Sequence, residues 1–325
     1  MMNFRNIVLG MATSLLGTVA YSQQLPQFSQ YLRNQFMINP GAAGVYNFTD
    51  VTLSGRMQWA GFKNAPMTTY TSITAPLGKI EKVRYNPGIR VSVGPVRNPE
   101  IKTGKLKHAI GAQMLADQFG AFQKINFSGT YALHIPMSKN FNLSFGAKVG
   151  MTSNTFIKSK AIVAHESMDQ NYQDFSNGQL SKNIMNIGSG LYLYSSKSFF
   201  GISADNLTKD MIRFGSGMVN FDSKMHFNLT AGHKFQVNNN ISVTPALLAK
   251  YMSPAPVAVE GTVQVEYKEW LWAGVSYRHK DALIGMIGLN ISQRFKFGYS
   301  YDFSISRFNS YSSGGHELVL GIMLR

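Results

Sequence analysis

The chain has 325 residues, 44% of them hydrophobic and only 14% charged, yet it carries a formal net charge of +15 and contains no cysteine. The lack of cysteine excludes disulfides, thiolate metal sites and a lipid-modified N-terminal cysteine. The basic excess alone would suit nucleic acid, but no basic helix, RNA-binding motif or single-strand-binding signature accompanies it, so no nucleic-acid partner is expected.

Residues 1–22 read as an export signal. Arg5 supplies a short basic start, Ile7 to Val19 is an apolar stretch too short to span a bilayer, and Ala20-Tyr21-Ser22 sets small residues before a signal-peptidase cut after Ser22. Sec export and removal of this segment are therefore expected. Residues 23–46 follow without any regular alternation of polar and apolar positions.

From residue 47 to 325 the pattern changes. No run there approaches the roughly 18 apolar residues of a transmembrane helix, so residence in a membrane requires a closed barrel, which also leaves no backbone group unpaired in lipid. Alternation is clearest from Phe141 to Met151: Phe141, Leu143, Phe145, Ala147, Val149 and Met151 share one side, while Asn142, Ser144, Gly146, Lys148 and Gly150 share the other. A period of two marks a strand with one apolar and one polar face. It recurs around Ile125, Phe127, Tyr131 and Leu133, along Val257 to Tyr267, and along Phe295 to Phe303.

In a water-soluble sandwich the apolar faces would meet inside; in a membrane barrel they turn outward to lipid and the polar faces line a lumen. Three features favour the barrel. The strands run about nine to eleven residues, the length of a tilted membrane-crossing strand, where sandwich strands average about five or six. Tyr267, Trp270, Trp272 and Tyr277 gather at strand ends, where an interfacial girdle is expected. The connections also alternate between tight turns, such as Pro136 to Asn140 and Ser195 to Ser198, and long loops, above all Thr155 to Asn183 and Thr208 to Met225. Outer-membrane barrels sort their connections in this way, with the turns periplasmic.

Candidate strands begin near Val51, Thr68, Ile89, Lys107, Phe122, Phe141, Ile184, Phe199, Phe227, Ile241, Val257, Leu271, Leu283, Phe295 and His316. Single-chain bacterial barrels have an even number of strands, so this set predicts fourteen, with twelve or sixteen as alternatives and the miscount among the first four. The predicted fold is all-β: an antiparallel up-and-down outer-membrane barrel over residues 47–325. A lumen that wide calls for a plug, and residues 23–46 are the candidate.

On the expected lumen side, Lys124, Lys148, Lys234, Lys250 and Lys296 face Glu260, Glu266 and Asp302, which would brace and hydrate the interior. The basic excess would otherwise meet outer-membrane lipid, lipopolysaccharide phosphates or an acidic partner. No H-E-x-x-H, G-x-S-x-G or phosphate-binding glycine loop is present, so no catalytic residue, cofactor or metal ligand is assigned. His165-Glu166, in the longest predicted loop, is a place where a loop-borne active site could assemble, and a solvated polar loop is the preferred reading of it.

Three groups of residues carry a resemblance. The first is Gln27-Phe28-Ser29-Gln30-Tyr31 followed by Asn39-Pro40-Gly41-Ala42-Ala43-Gly44. The second is Arg56, Gln58-Trp59, Gly61-Phe62, Ala65-Pro66 and Thr68, and the third is Tyr301-Asp302 with Ser306 and Gly315-His316-Glu317-Leu318. Together they bracket the mature chain and resemble the PorP/SprF family of type IX secretion membrane proteins of the Bacteroidota. The resemblance implies an outer-membrane barrel that works with other type IX components. It would serve one or a few secreted substrates, typically very large adhesins engaged through a C-terminal sorting domain, with gliding motility as one outcome.

Read physically, Trp59 would end the first strand as an interfacial aromatic before a Pro66 turn, and Asn39-Pro40-Gly41 would steer the N-terminal segment across the lumen. His316 and Glu317 would start the last strand as a polar pair bonding to that segment. Three functions remain in play: a secretion barrel that binds and anchors an adhesin, a diffusion channel for a small solute, and an outer-membrane enzyme. Partner contact is expected on the two long loops and the lumen.

Overall fold

The structure, a computed structural model, describes residues 27–62, 64–78, 101–161, 173, 181–208, 213–214, 224–291, 294–305 and 313–324. The expected signal cleavage, the candidate strand at Ile89, His165-Glu166, Ser306 and most of the two long loops lie outside them.

The strands are β1 (Thr49–Met57), β2 (Met67–Leu77), β3 (Lys107–Phe119), β4 (Phe122–Pro136), β5 (Asn142–Phe156), β6 (Ser181–Tyr194), β7 (Ser198–Asp205), β8 (Arg213–Phe214), β9 (His226–His233), β10 (Phe235–Gln236), β11 (Ile241–Met252), β12 (Ala258–Tyr267), β13 (Leu271–Arg278), β14 (Ala282–Ile291), β15 (Phe295–Ser304) and β16 (Gly315–Leu324). Each long strand pairs antiparallel with the next, and β1 pairs with both β2 and β16, so the sheet closes on itself as a barrel of fourteen strands. The two-residue pieces are accessories: β8 adds to β6, and β10 continues the line of β9 along β11.

The polar faces point inward and the apolar faces outward, as the alternation predicts. On β12, Val259, Val263, Val265 and Tyr267 are exposed while Glu260, Thr262, Gln264 and Glu266 are buried. On β5, Phe145 is 49% exposed and Ser144 is 0% exposed. The same outward band recurs at Leu53, Ile73, Phe127, Leu191, Phe200, Leu247, Val275, Ile287 and Leu320. An apolar belt around a whole ring far exceeds the patches that water-facing surfaces carry, and lipid is the solvent that satisfies it.

One end of the barrel carries the short connections 137–141, 195–197, 268–270 and 292–294; the other carries 157–180, 206–225 and 305–314. These are called the turn end and the loop end. The sorting has exceptions: β2 and β3 are joined by the long stretch 78–106 at the turn end, while β3 and β4 are joined by the tight Gly120-Ala121, and β13 and β14 by the short 279–281, at the loop end. Gly120 has φ of 57°, which a two-residue turn requires and glycine accepts without strain.

Parity corrects two expectations. Trp272 shares its face with Ser276 and Arg278, so it is buried in the lumen and does not join the outer girdle, whereas Tyr267 and Tyr277 do face outward. Trp59 does not end β1, which stops at Met57. It stands two residues beyond, at a left-handed φ of 52°, after the Gln58 amide has added one more rung to the β1–β2 pairing by donating to the Pro66 carbonyl (2.9 Å). Its ring meets Phe119 edge-on at 5.7 Å.

Candidate functional site

The lumen is occupied by the chain's own N-terminal segment. From Gln27 to Phe48 it passes through three short 3-10 turns, Tyr31–Arg33, Gln35–Met37 and Pro40–Ala42, before β1 begins. Ser29 lies beside Arg56, Asp302 and Glu317, all near the loop end, whereas Gly44 meets Ala109 near the turn end. The segment thus crosses the lumen from loop end to turn end, and β1 returns along the wall.

The loop-end seat is an ionic clamp. The Arg56 guanidinium donates to Asp302 Oδ2 (2.7 Å), Glu317 Oε2 (3.2 Å) and Ser29 Oγ (2.6 Å). Ser29 Oγ in turn donates to Asp302 Oδ1 (2.7 Å). The two oxygens of Glu317 accept consecutive backbone N–H groups of the plug, Ser29 at 2.7 Å and Gln30 at 3.1 Å. Arg278 completes the group, donating from Nε to Glu260 (2.8 Å) and from Nη1 to Asp302 (3.3 Å). Glu317 is only 1% exposed, and a carboxylate so buried is tolerated because every contact named here is charge-assisted.

The second seat is steric. Asn39 caps the Pro40–Ala42 turn by accepting from the Gly41 amide (2.8 Å), and its Nδ2 donates to the Leu191 (3.0 Å) and Ile202 (3.2 Å) carbonyls of the wall. Three lumen-facing glycines make room for it. A Cβ at Gly146 would lie 2.3 Å from the Pro40 carbonyl carbon, one at Gly190 2.1 Å from Asn39 Oδ1, and one at Gly201 2.7 Å from Asn39 Nδ2. No real Cβ sits so close, so these strands carry glycine where the backbone of the plug comes closest.

Between the seats the plug is held by smaller contacts. Phe28 meets Tyr70 edge-on at 5.8 Å, Tyr31 donates to Thr262 Oγ1 (3.2 Å), and Phe36 packs with Ala43, Ala109 and Ala132. Arg33 pairs with Glu266 (3.2 Å) and stacks on Trp272 at 4.2 Å. His134 Nε2 lies 2.9 Å from the Ala43 carbonyl, with Tyr194 on its other ring nitrogen. Burial pushes the Tyr46 phenol up to about 12, with the Asp50 carboxylate acting in the same direction. Burial also lowers the Arg33 guanidinium, against the pull of Glu266.

Three of the five expected lumenal lysines pair as braces: Lys148 with Asp205 (2.5 Å), Lys234 with Glu266 (2.6 Å), and Lys296 with Asp50 (2.7 Å). Among the described residues no group of three or more His, Asp or Glu side chains is arranged to hold a metal ion.

Of the residues singled out in the sequence, Phe28, Tyr31, Asn39, Pro40, Arg56, Asp302 and Glu317 converge on the plug, with Gln27 half-buried at its start. Trp59 and Pro66 belong instead to the hairpin between β1 and β2. His316 and Tyr301 are also elsewhere, because successive residues of a strand point to opposite faces. With Glu317 and Asp302 inside, His316 takes a hydrogen bond with Tyr299 OH (2.8 Å) on the outer side, and Tyr301 OH donates to the Ser313 carbonyl (2.8 Å). The expectation that His316 and Glu317 both bond to the plug holds for Glu317 alone. Sequence reasoning also missed Arg33, Arg278, Trp272 and the glycine sockets; the available signal was glycine recurring on the polar faces of β5 and β6.

The fold resembles solved outer-membrane barrels. The Ralstonia pickettii toluene transporter TbuX superposes with a TM-score of 0.52 at 11% identity, covering 89% of this chain and 92% of that one. The Acinetobacter baumannii outer membrane protein Omp33 gives 0.46 at 8% identity, covering 87% and 99%. At 11% identity the likeness to TbuX shows a shared barrel fold alone. No protein of curated function matches the sequence. The profile described as type IX secretion system membrane protein PorP/SprF matches residues 20–322. That span takes in the plug, the clamp and the closing strand, and the chain belongs to the PorP/SprF family of type IX secretion system membrane proteins.

Proposed function

We propose that this outer-membrane barrel binds a cognate protein exported by the type IX system and supports its secretion or attachment at the cell surface. The substrate expected from the family is a large adhesin engaged through its C-terminal sorting domain, with gliding motility as one process served. The barrel would act by binding rather than catalysis, alongside other type IX components, with its basic surface against lipopolysaccharide and lipid.

The observation that carries this reading is the plug. A lumen crossed by the chain's own segment, clamped through Arg56, Asp302 and Glu317 and seated on Gly146 and Gly190, suits a fixed docking platform better than a conduit. TbuX is a toluene transporter, and a channel for a small solute is the competing reading. Deleting the gene and comparing surface-exposed proteins with solute permeability tests both. Loss of one very large surface protein with unchanged permeability is the expected result; normal surface display with impaired uptake would replace it with the channel.

A further inference from the structure

The motif around Trp59 takes no part in seating the plug. Between β1 and β2 the chain carries three left-handed residues, Trp59 at φ of 52°, Gly61 at 99° and Asn64 at 59°. A left-handed backbone is costly for tryptophan and persists only where its surroundings enforce it. Here they do. The Phe62 amide donates to the Trp59 carbonyl (3.2 Å), the Ala60 amide to the Gly314 carbonyl (2.8 Å), and the Ser313 amide to the Ala60 carbonyl (2.9 Å). The hairpin is thereby fastened to the chain entering β16, and its aromatic residues stand on a fixed mount.

That mount begins an aromatic row along the loop-end rim. Trp59 meets Phe119 edge-on at 5.7 Å, Phe119 and Phe122 are register partners across the Gly120-Ala121 turn, and Phe122 meets Phe156 at 5.4 Å. Phe62, Phe119 and Phe122 are 42%, 44% and 41% exposed. Parity separates the row from lipid. Phe119 and Phe122 share the inward side of their strands with Asp117 and Lys124, while Gln118, Gln123, Thr155 and Ser181 align across β3 to β6 on the outward side at the same height. A wall with such polar residues outside has risen above the apolar belt, so the rings stand in water, where exposed aromatics mark a contact surface. The charge beside them is one-sided. The Ile157 amide donates to the Ala121 carbonyl (2.8 Å), which sets the turn Lys158–Lys160 against the rim with both lysines exposed and neither paired with an acid among the described residues. Asp117 and Lys124 are register partners and offset each other.

We infer that this rim docks a protein segment carrying aromatic or large apolar side chains between acidic residues. The side chains enter beside Trp59, Phe119 and Phe122, and the acids meet Lys158 and Lys160. Rings tilted at 75° and 53° to one another leave notches for side chains, where a sugar would need a flat open face to stack on. The loop end of an outer-membrane barrel faces the cell exterior, the side on which an exported protein is displayed. The inference rests on the secretion reading for the source of the segment, and adds the surface it meets and its chemistry.

Thermophoresis on the full mature protein in lipid nanodiscs tests it with three labelled peptides, acetyl-Asp-Phe-Asp-Phe-Asp-amide, its analogue with alanine for phenylalanine, and its analogue with lysine for aspartate. The first should bind saturably, and each analogue about ten-fold or more weakly. Trp59→Asn deletes the ring with a residue that accepts the left-handed backbone, and should weaken the first peptide about ten-fold. Lys158→Glu combined with Lys160→Glu alters only exposed side chains and should weaken it by a similar factor at low salt, which keeps the test decisive if Trp59→Asn does not fold. Equal binding of either analogue, no saturable binding at millimolar concentration, or unchanged affinity in a folded variant would overturn the inference. Displacement of the peptide by purified lipopolysaccharide would also overturn it, and would assign the rim to lipid. Binding is read on the purified barrel, so its failure is distinct from failure of the secretion reading, which shows as normal surface display after gene deletion.

Discussion

Arg56 and Glu317 are register partners across the seam where β1 meets β16, and their side chains join inside the barrel at 3.2 Å. The first and last strands of the barrel are therefore tied by the same ion pair that receives the plug, since Glu317 also accepts the Ser29 and Gln30 amides. Closing the sheet and seating the N-terminal segment are coupled through one carboxylate.

Removing that carboxylate leaves Arg56 with Asp302 as its remaining acidic partner and strands two buried plug amides. Glu317→Ala should lower folding stability by about 3–5 kcal/mol, the scale for breaking a buried ion pair from one side. The measurement is loss of the compact, heat-modifiable band at a lower temperature in unboiled detergent samples. A thermal midpoint equal to wild type would show that the clamp contributes nothing.

Cβ groups added at the plug's second seat should disturb the plug without disturbing the barrel. Gly190→Ala puts a methyl 2.1 Å from Asn39 Oδ1, while Gly285→Ala meets nothing within 4 Å. Overpacking of this kind costs about 1–3 kcal/mol. Gly190→Ala should therefore raise single-channel conductance in planar bilayers and increase protease cleavage within residues 27–48, and Gly285→Ala should change neither. Identical behaviour of the two variants would remove the socket argument.

How much of this was legible beforehand follows from physical range. Strand faces were readable because period two is local: Phe145 outward, Lys148 inward and the apolar side of β12 outward all appear as read. The count of fourteen came from the even-number rule. The plug was recognisable as a stretch that fails to alternate, but its seats were not, because the bond from Ser29 to Glu317 joins residues 288 apart and carries no local pattern. Trp272 and His316 were misplaced for the opposite reason. Chemistry suggested a girdle for one and a plug contact for the other, and strand parity, already visible in Leu271–Arg278 and Gly315–Leu324, sent each to the other face.

A charge on the outer belt tests the lipid assignment directly. Phe145→Lys, on the outer face of β5, should cost about 2–4 kcal/mol if it lies near the bilayer midplane. Phe145→Leu should be close to neutral. The readout is the folded fraction after refolding into lipid vesicles, and equal yields for the two variants would contradict the assignment of that face.

Asn39 offers the sharpest distinction, because its amide does two separable things. Its oxygen caps the Pro40–Ala42 turn through the Gly41 amide, and its nitrogen satisfies the Leu191 and Ile202 carbonyls. Asn39→Ala loses all three bonds and leaves those buried groups unpaired, at about 1–3 kcal/mol for each group left without a partner or water. Asn39→Asp retains an acceptor for Gly41 but replaces the donor with a second oxygen, setting negative charge against two carbonyl oxygens. If donation to the wall matters more than the cap, Asn39→Asp should be less stable than Asn39→Ala, despite being closer in shape to the native residue. Thermal melts of both variants in the same detergent decide the order. An aspartate variant as stable as wild type would mean that the cap alone holds the turn, and that the wall carbonyls find their partners elsewhere.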